Sequence, residues 1–393
     1  MIKHIFWSLA ICLVSLFVLA GLIGCKGTEG PAGPAGKDAS VSALEGFKDS
    51  IQCANCHDLD KDTTIYLTAR ELQWQNSGHN SMGDYDENRG TCAVCHTTEG
   101  FIMRMKDGNS LTAVTDRPDP TPVGCFACHS PHLNGNFSLR VSTPVTLVTN
   151  ITGVPDVTFD DGSANLCAQC HQPRSTSPKL DISKQAATDS LMLTSNRWSP
   201  HHGVQSMLLK GSGTYYEWPG YTYGNSAHQT LAAAKSLACP DCHMAKADPS
   251  ATNAGRVGGH TMNIAFDDPA TSSTTYNVKY SCNTAKNGST CHSAGTAISG
   301  ATTTPLEHNG NRVKAVIDSM TILYNQLVAL NYIDPATGLV KATSSAPLKI
   351  KPAKKAGALW NYLTLAADKS NGIHNTQYAL DLLTASLDIL RKN

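Results

Sequence analysis

Charge is scarce in this 393-residue chain, and what there is cancels: 16% of residues are charged, with 31 Lys and Arg against 31 Asp and Glu. A neutral balance argues against a protein built to hold nucleic acid, which normally carries a basic excess. It also excludes a long chain held open by its own net charge. Aromatic residues are few as well, at 6%, so the large fillers of a hydrophobic core are in short supply. Beyond residue 21 no apolar run is long enough to span a bilayer, which excludes a polytopic membrane protein. Against these shortages stand 14 Cys and 15 His. They are what the sequence has in excess, and they need a chemical explanation.

The first residues point to export. Lys3 and His4 precede an apolar run from Ile5 to Gly21, the polarity order of a bacterial secretory signal. Leu22-Ile23-Gly24-Cys25 closes it and resembles the lipobox of bacterial lipoproteins. Residues 1–24 are thus expected to be a cleaved signal, with Cys25 lipidated and the chain tethered to a membrane by that lipid. An uncleaved signal-anchor helix is the alternative. The stretch Gly27–Asp38 holds four Gly-X-Y triplets, far too few to hold a collagen triple helix together. Residues 25–50 therefore read as a lipidated, semi-extended tether.

Cys12 leaves with the signal and Cys25 takes the lipid, so twelve cysteines remain. Ten form five C-x-x-C-H motifs: Cys53/Cys56/His57, Cys92/Cys95/His96, Cys125/Cys128/His129, Cys167/Cys170/His171 and Cys239/Cys242/His243. This is the attachment signature of c-type haem. Two thiols one short turn apart can add across the two porphyrin vinyl groups, which holds the adjacent His beneath the iron as an axial ligand. Zinc ribbons and disulfides also use paired cysteines, but neither requires a His directly after every second Cys. The last pair is wider: Cys282 and Cys291 enclose eight residues, and His292 follows. The enclosed Asn287-Gly288-Ser289 is turn-prone, so the insert can loop out and leave a sixth attachment site. A Cys282–Cys291 disulfide is the alternative there.

The histidine supply matches six haems. Beyond the six motif histidines and His4, eight remain: His79, His132, His201, His202, His228, His260, His308 and His374. Six bis-histidine irons need six distal ligands. His79 and His228 sit in similar segments, Trp74-x-x-Ser77-x-His79 and Tyr223-x-x-Ser226-x-His228, each shortly before an attachment motif. His132 lies too close to His129 to reach the other face of the same haem, so it is expected to serve a neighbour. His260 follows Gly258-Gly259, where backbone can approach a porphyrin closely. One of His201 and His202 is expected to ligate, with His202 preferred. His308 has the weakest context.

The expected fold class is mainly α with much irregular structure: a loop-rich, haem-packed core over 51–304 and a C-terminal helical segment over 305–393. Porphyrins are expected to supply the core of the first part. A short hairpin is expected near Val141–Asp161 from its β-branched residues. Val313, Val316, Ile317, Met320, Leu323, Tyr324, Leu327 and Leu330 follow helical spacing, with a stop at Asp334–Gly338. Further helices are expected at about 355–367 and 376–391, and Lys349, Lys351, Lys354 and Lys355 are expected in a solvated loop.

The haem motifs, with the tail Asn361-Tyr362 … Asp368-Lys369-Ser370-Asn371-Gly372-Ile373-His374-Asn375, resemble the multihaem cytochrome c superfamily. That group includes cytochrome c nitrite reductases, hydroxylamine oxidoreductases, octahaem tetrathionate reductases and carriers such as cytochrome c554. The resemblance implies a multihaem cytochrome c fold and makes His374, in a Gly-x-His-Asn segment before a C-terminal helix, a distal ligand. The lipobox and tether also resemble those of outer-surface cytochromes of metal-respiring bacteria. The expected function is electron transfer along six haems at the cell envelope or surface, to other cytochromes or extracellular acceptors. Assembly into a homo-oligomer or filament is left open. A terminal reductase of nitrite, hydroxylamine or a sulfur oxyanion is the alternative, although the C-x-x-C-K motif usual in nitrite reductases is absent.

Overall fold

The structure, a computed structural model, describes residues 66–81, 89–108, 120–134, 136–283, 292 and 312–392. The leader, the tether with Cys25, the motif Cys53/Cys56/His57, Cys291 of the widened motif and His308 lie outside the described residues.

The described residues fall in one compact unit. Helices α1 (Leu67–Trp74), α2 (Gly90–His96), α3 (Thr98–Lys106), α4 (Cys125–Cys128) and α5 (Pro131–Asn134) come first. Strands β1 (Val145–Leu147), β2 (Ile151–Thr152) and β3 (Val157–Phe159), helix α6 (Ala164–Ala168), and strands β4 (Leu180–Asp181) and β5 (Leu191–Leu193) follow. Then come α7 (Gln205–Lys210), α8 (Ala227–Ala233), α9 (Cys239–His243), β6 (Ala265–Asp268) and β7 (Ser273–Tyr276). The chain closes with α10 (Arg312–Ala329), β8 (Leu348–Ile350), α11 (Ala356–Asp368) and α12 (Thr376–Arg391). The described architecture is helical and loop-rich with little strand. Among the described residues no helix is long and apolar enough to cross a membrane.

The strands form two-stranded ribbons. β1 and β3 pair antiparallel, Val145 opposite Phe159 and Leu147 opposite Val157, which is the hairpin expected there. Its connection carries β2, which pairs parallel with β4. β5 and β8 pair antiparallel and tie residues 191–193 to 348–350. The lysine-rich loop expectation is corrected here: Lys349 alternates with Leu348 and Ile350 on β8, with Ile350 buried and Lys349 exposed. Period-two alternation, and not the lysines, decides that segment.

The three long C-terminal helices form close to where their apolar periodicity places them. Val316, Leu323 and Leu327 of α10 are buried, and Asn331 takes a left-handed conformation just beyond its end. α12 buries Tyr378, Leu382, Leu383, Ile389 and Leu390 along one face.

The aromatic shortage misleads about the core. Trp198, Tyr215, Tyr216, Trp218, Trp360 and Tyr378 all lie in one buried cluster with apolar residues of β1–β5, α7 and α10–α12. Trp198 and Trp360 have ring centroids 5.0 Å apart, and Tyr215 meets Tyr378 edge-on at 5.5 Å. The expectation that porphyrins alone supply the core of the first part is therefore corrected: residues from 145 onward share an apolar core with the C-terminal helices. Few aromatics suffice because they are concentrated, and each covers a large apolar area. Asn361 fastens this core, accepting from the Tyr216 backbone N–H at 2.7 Å and donating to the Tyr216 carbonyl at 2.9 Å.

Candidate functional site

Each described C-x-x-C-H motif sits on or beside a single short helix. Cys92, Cys95 and His96 lie within α2, Cys125 and Cys128 within α4, and all of the Cys239–His243 motif forms α9. Cys167 lies in α6, with Cys170 and His171 just after it. A helical turn sets residues three apart on one side, so each thiol pair can present to one ligand edge. Cys92, Cys95, Cys125, Cys128, Cys167, Cys170 and Cys239 are outside any disulfide.

Backbone closure links the widened motif to the ordinary ones. The His129 N–H donates to the Cys125 carbonyl at 2.8 Å, and His171 to that of Cys167 at 2.9 Å. His292 makes the same bond to the Cys282 carbonyl, at 3.1 Å, across an insert of eight residues. The insert leaves the first Cys and the His in the relation they hold in C-x-x-C-H.

The imidazoles pair. Ring centroids are 6.1 Å apart for His79 and His171, 6.1 Å for His96 and His201, and 6.4 Å for His129 and His260. His228 and His292 are 6.1 Å apart, and His243 and His374 6.3 Å. A metal–imidazole bond is about 2 Å long, and a ring centre lies roughly 1.1 Å behind its nitrogen, so two imidazoles sharing one ion have centroids about 6.3 Å apart. One ring pair near 6 Å is ordinary aromatic contact. Five such pairs, each joining one motif His to one non-motif His, are a pattern. His201, and not the preferred His202, faces His96; His202 packs on His201 at 5.2 Å. His132 lies against Phe126 at 5.4 Å.

Local structure aims these rings. His79, His260 and His374 each ride a one-turn 3₁₀ helix, Gly78–Ser81, Gly259–Thr261 and Ile373–Asn375. His228 is near the start of α8. The two similar segments before His79 and His228 therefore take different local structures: the Ser77 hydroxyl donates to the Trp74 carbonyl, whereas Ser226 is the N-cap residue of α8.

Five of the ten paired imidazoles have their Nδ1 anchored by a hydrogen-bond partner. Nδ1 of His228 donates to the Ile373 carbonyl at 2.7 Å, Nδ1 of His243 to the Met262 carbonyl at 3.0 Å, and Nδ1 of His129 to the Ser138 carbonyl at 3.4 Å. His171 Nδ1 meets the Gln205 side-chain oxygen at 3.0 Å, and His374 Nδ1 meets the Asp368 carboxylate at 2.8 Å. Because carbonyl oxygens only accept, Nδ1 carries the proton and Nε2 keeps its lone pair for a metal. Burial, with the nearby His171 and His243, lowers the His79 pKa to about 4. Burial, with Arg70 and His129, does the same for His260. At His374 burial also lowers the pKa, but the Asp368 charge and hydrogen bond outweigh it and the net shift is upward.

The attachment cysteines converge. Cys95 lies against Cys170 and Cys167 against Cys239, with Cys128 close to Cys167. Buried Arg104 stands beside this group, donating to the Gln169 carbonyl at 2.7 Å and its side-chain oxygen at 3.0 Å, with Cys95 Sγ at 3.6 Å. Arg104, Gln205 and Asp368 are site residues that sequence reasoning missed. Only Asp368 left a signal, since it falls in the quoted tail segment.

Paired imidazoles, five anchored Nδ1 atoms and adjacent cysteine pairs are a donor set that fits c-type haem. No family model and no curated protein matches the chain. Among solved structures it is similar to the crystal structure of outer cell wall cytochrome OcwA, at a TM-score of 0.42 and 17% identity, over 82% of this chain and 50% of that one. The chain thus spans about half the length of that cytochrome.

Proposed function

We propose that this chain is an exported multihaem electron-transfer protein that holds six c-type haems, each between two histidines. The observation that carries the reading is the set of five motif-to-distal imidazole pairs at 6.1–6.4 Å. Haem, when bound, supplies a one-electron carrier whose iron changes oxidation state. The chain's own residues attach it through Cys53, Cys56, Cys92, Cys95, Cys125, Cys128, Cys167, Cys170, Cys239, Cys242, Cys282 and Cys291. In this reading His171 pairs with His79, His96 with His201, His129 with His260, His243 with His374 and His292 with His228. His132, His202 and His308 are then the candidates left for His57, and His132 is taken because its spacing from His129 directs it to a neighbouring haem.

Contact between thiols of different motifs supports electron transfer. Cys170 lies against Cys95 and Cys167 against Cys239, so the Cys92/Cys95 and Cys239/Cys242 motifs both adjoin the Cys167/Cys170 motif. Two nitrogens on every iron leave no position for substrate, which suits a carrier that changes geometry little on redox. Lipidation at Cys25 would tether the protein at the outer membrane or cell surface, with other cytochromes or extracellular acceptors as partners. Intact mass and the spin state of the oxidised holoprotein test this reading. Six covalent haems, all low-spin, with no rapid carbon monoxide binding after reduction, are expected. Five haems, or one equivalent of carbon monoxide bound quickly, would overturn it, the latter in favour of a reductase.

A further inference from the structure

Four of the five anchored Nδ1 atoms face neutral acceptors: the Gln205 amide oxygen and the carbonyls of Met262, Ile373 and Ser138. His374 alone among these five faces a carboxylate, that of Asp368 at 2.8 Å. Asp368 ends α11 and is buried, at 2% exposure. Its second oxygen accepts from the Ser370 backbone N–H at 3.2 Å and from the Ser370 hydroxyl. The contact depends on a tight reversal, in which Lys369, Asn371 and Gly372 all adopt left-handed backbone. That turn brings together residues six apart in sequence.

A buried carboxylate on the outer nitrogen has two electrical effects of one sign. It draws the Nδ1 proton toward itself, which makes Nε2 a stronger donor to iron. Its negative charge, in surroundings of low dielectric, also favours the more positive oxidised iron. We propose that Asp368 is a positioning and tuning residue that lowers the potential of the haem held between His243 and His374. The proposal rests on the reading that His374 is a haem ligand.

The test is a spectroelectrochemical titration of the full holoprotein, with dithionite giving one electron to each iron, alongside spin-state measurement. Asp368→Asn should move one midpoint upward, leave the others in place and keep every iron low-spin. Ser370→Ala removes a donor that competes for the carboxylate, so it should move the same midpoint downward. If no midpoint moves upward in Asp368→Asn, with all irons low-spin, the proposal is overturned. If that variant loses low-spin iron or fails to assemble, Ser370→Ala decides, and the absence of a downward shift overturns it. His374→Ala separates the underlying reading: if no iron becomes high-spin, His374 is not a ligand and the ligand assignment itself has failed.

Discussion

His201 and His202 are adjacent and chemically identical, yet only His201 is set opposite His96. The difference is in the backbone: His201 has a φ of 68°, a left-handed conformation that costs about 1–3 kcal/mol in a non-glycine residue and persists where surrounding structure holds it. That conformation turns the ring toward α2 while His202 packs beside it. His201→Ala should turn one ferric iron high-spin and open it to carbon monoxide. His202→Ala should leave every iron low-spin. Electron paramagnetic resonance of the two variants checks this, and the reverse outcome would restore His202 as the ligand.

At the scale of elements, the widened motif and the tail loop each do one definable job. Since the His292 N–H reaches the Cys282 carbonyl as in an ordinary motif, the insert is expected to be dispensable for the attachment proposed there. Replacing residues 283–290 with two residues, to restore C-x-x-C-H, should leave six haems by intact mass; loss of one would show that the insert is needed. The loop after α11 serves two pairs at once, because it carries His374 and offers the Ile373 carbonyl to His228. Gly372 has a φ of 83°, and a Cβ there would stand 3.0 Å from Val316 Cγ2. Gly372→Ala should therefore cost roughly 1 kcal/mol or more and disturb the haems of both His228 and His374. Thermal unfolding and the low-spin signals report the two effects.

For the whole molecule, stability and surface charge have separate sources. Trp360 is buried against Trp198 and donates its indole N–H to the Thr214 carbonyl at 2.6 Å. Trp360→Ala should cost about 3–5 kcal/mol, seen as a lower unfolding midpoint with haem content unchanged. In the proposed holoprotein charge would come from the cofactors: six haems with two propionates each would add roughly 12 negative charges if all ionise, on a polypeptide whose formal charge is zero. The holoprotein should focus on the acidic side of the polypeptide's own neutral balance, and docking to a redox partner should weaken with salt. Isoelectric focusing that finds it neutral would contradict this.

What the sequence determined by itself was local chemistry. The spacing of Cys92, Cys95 and His96, and of the other motifs like it, is a property of a few adjacent residues, as is the period of Val316, Leu323 and Leu327 in α10. Pairing is not local. His79 meets His171 and His129 meets His260 across long stretches of chain, and nothing near either residue encodes its partner. The same holds for Asp368 on His374, where a turn of three left-handed residues makes the contact, and for Trp198 on Trp360. Tertiary structure decided these because each depends on the path of the backbone between the partners, and on side chains from segments far apart packing into one core.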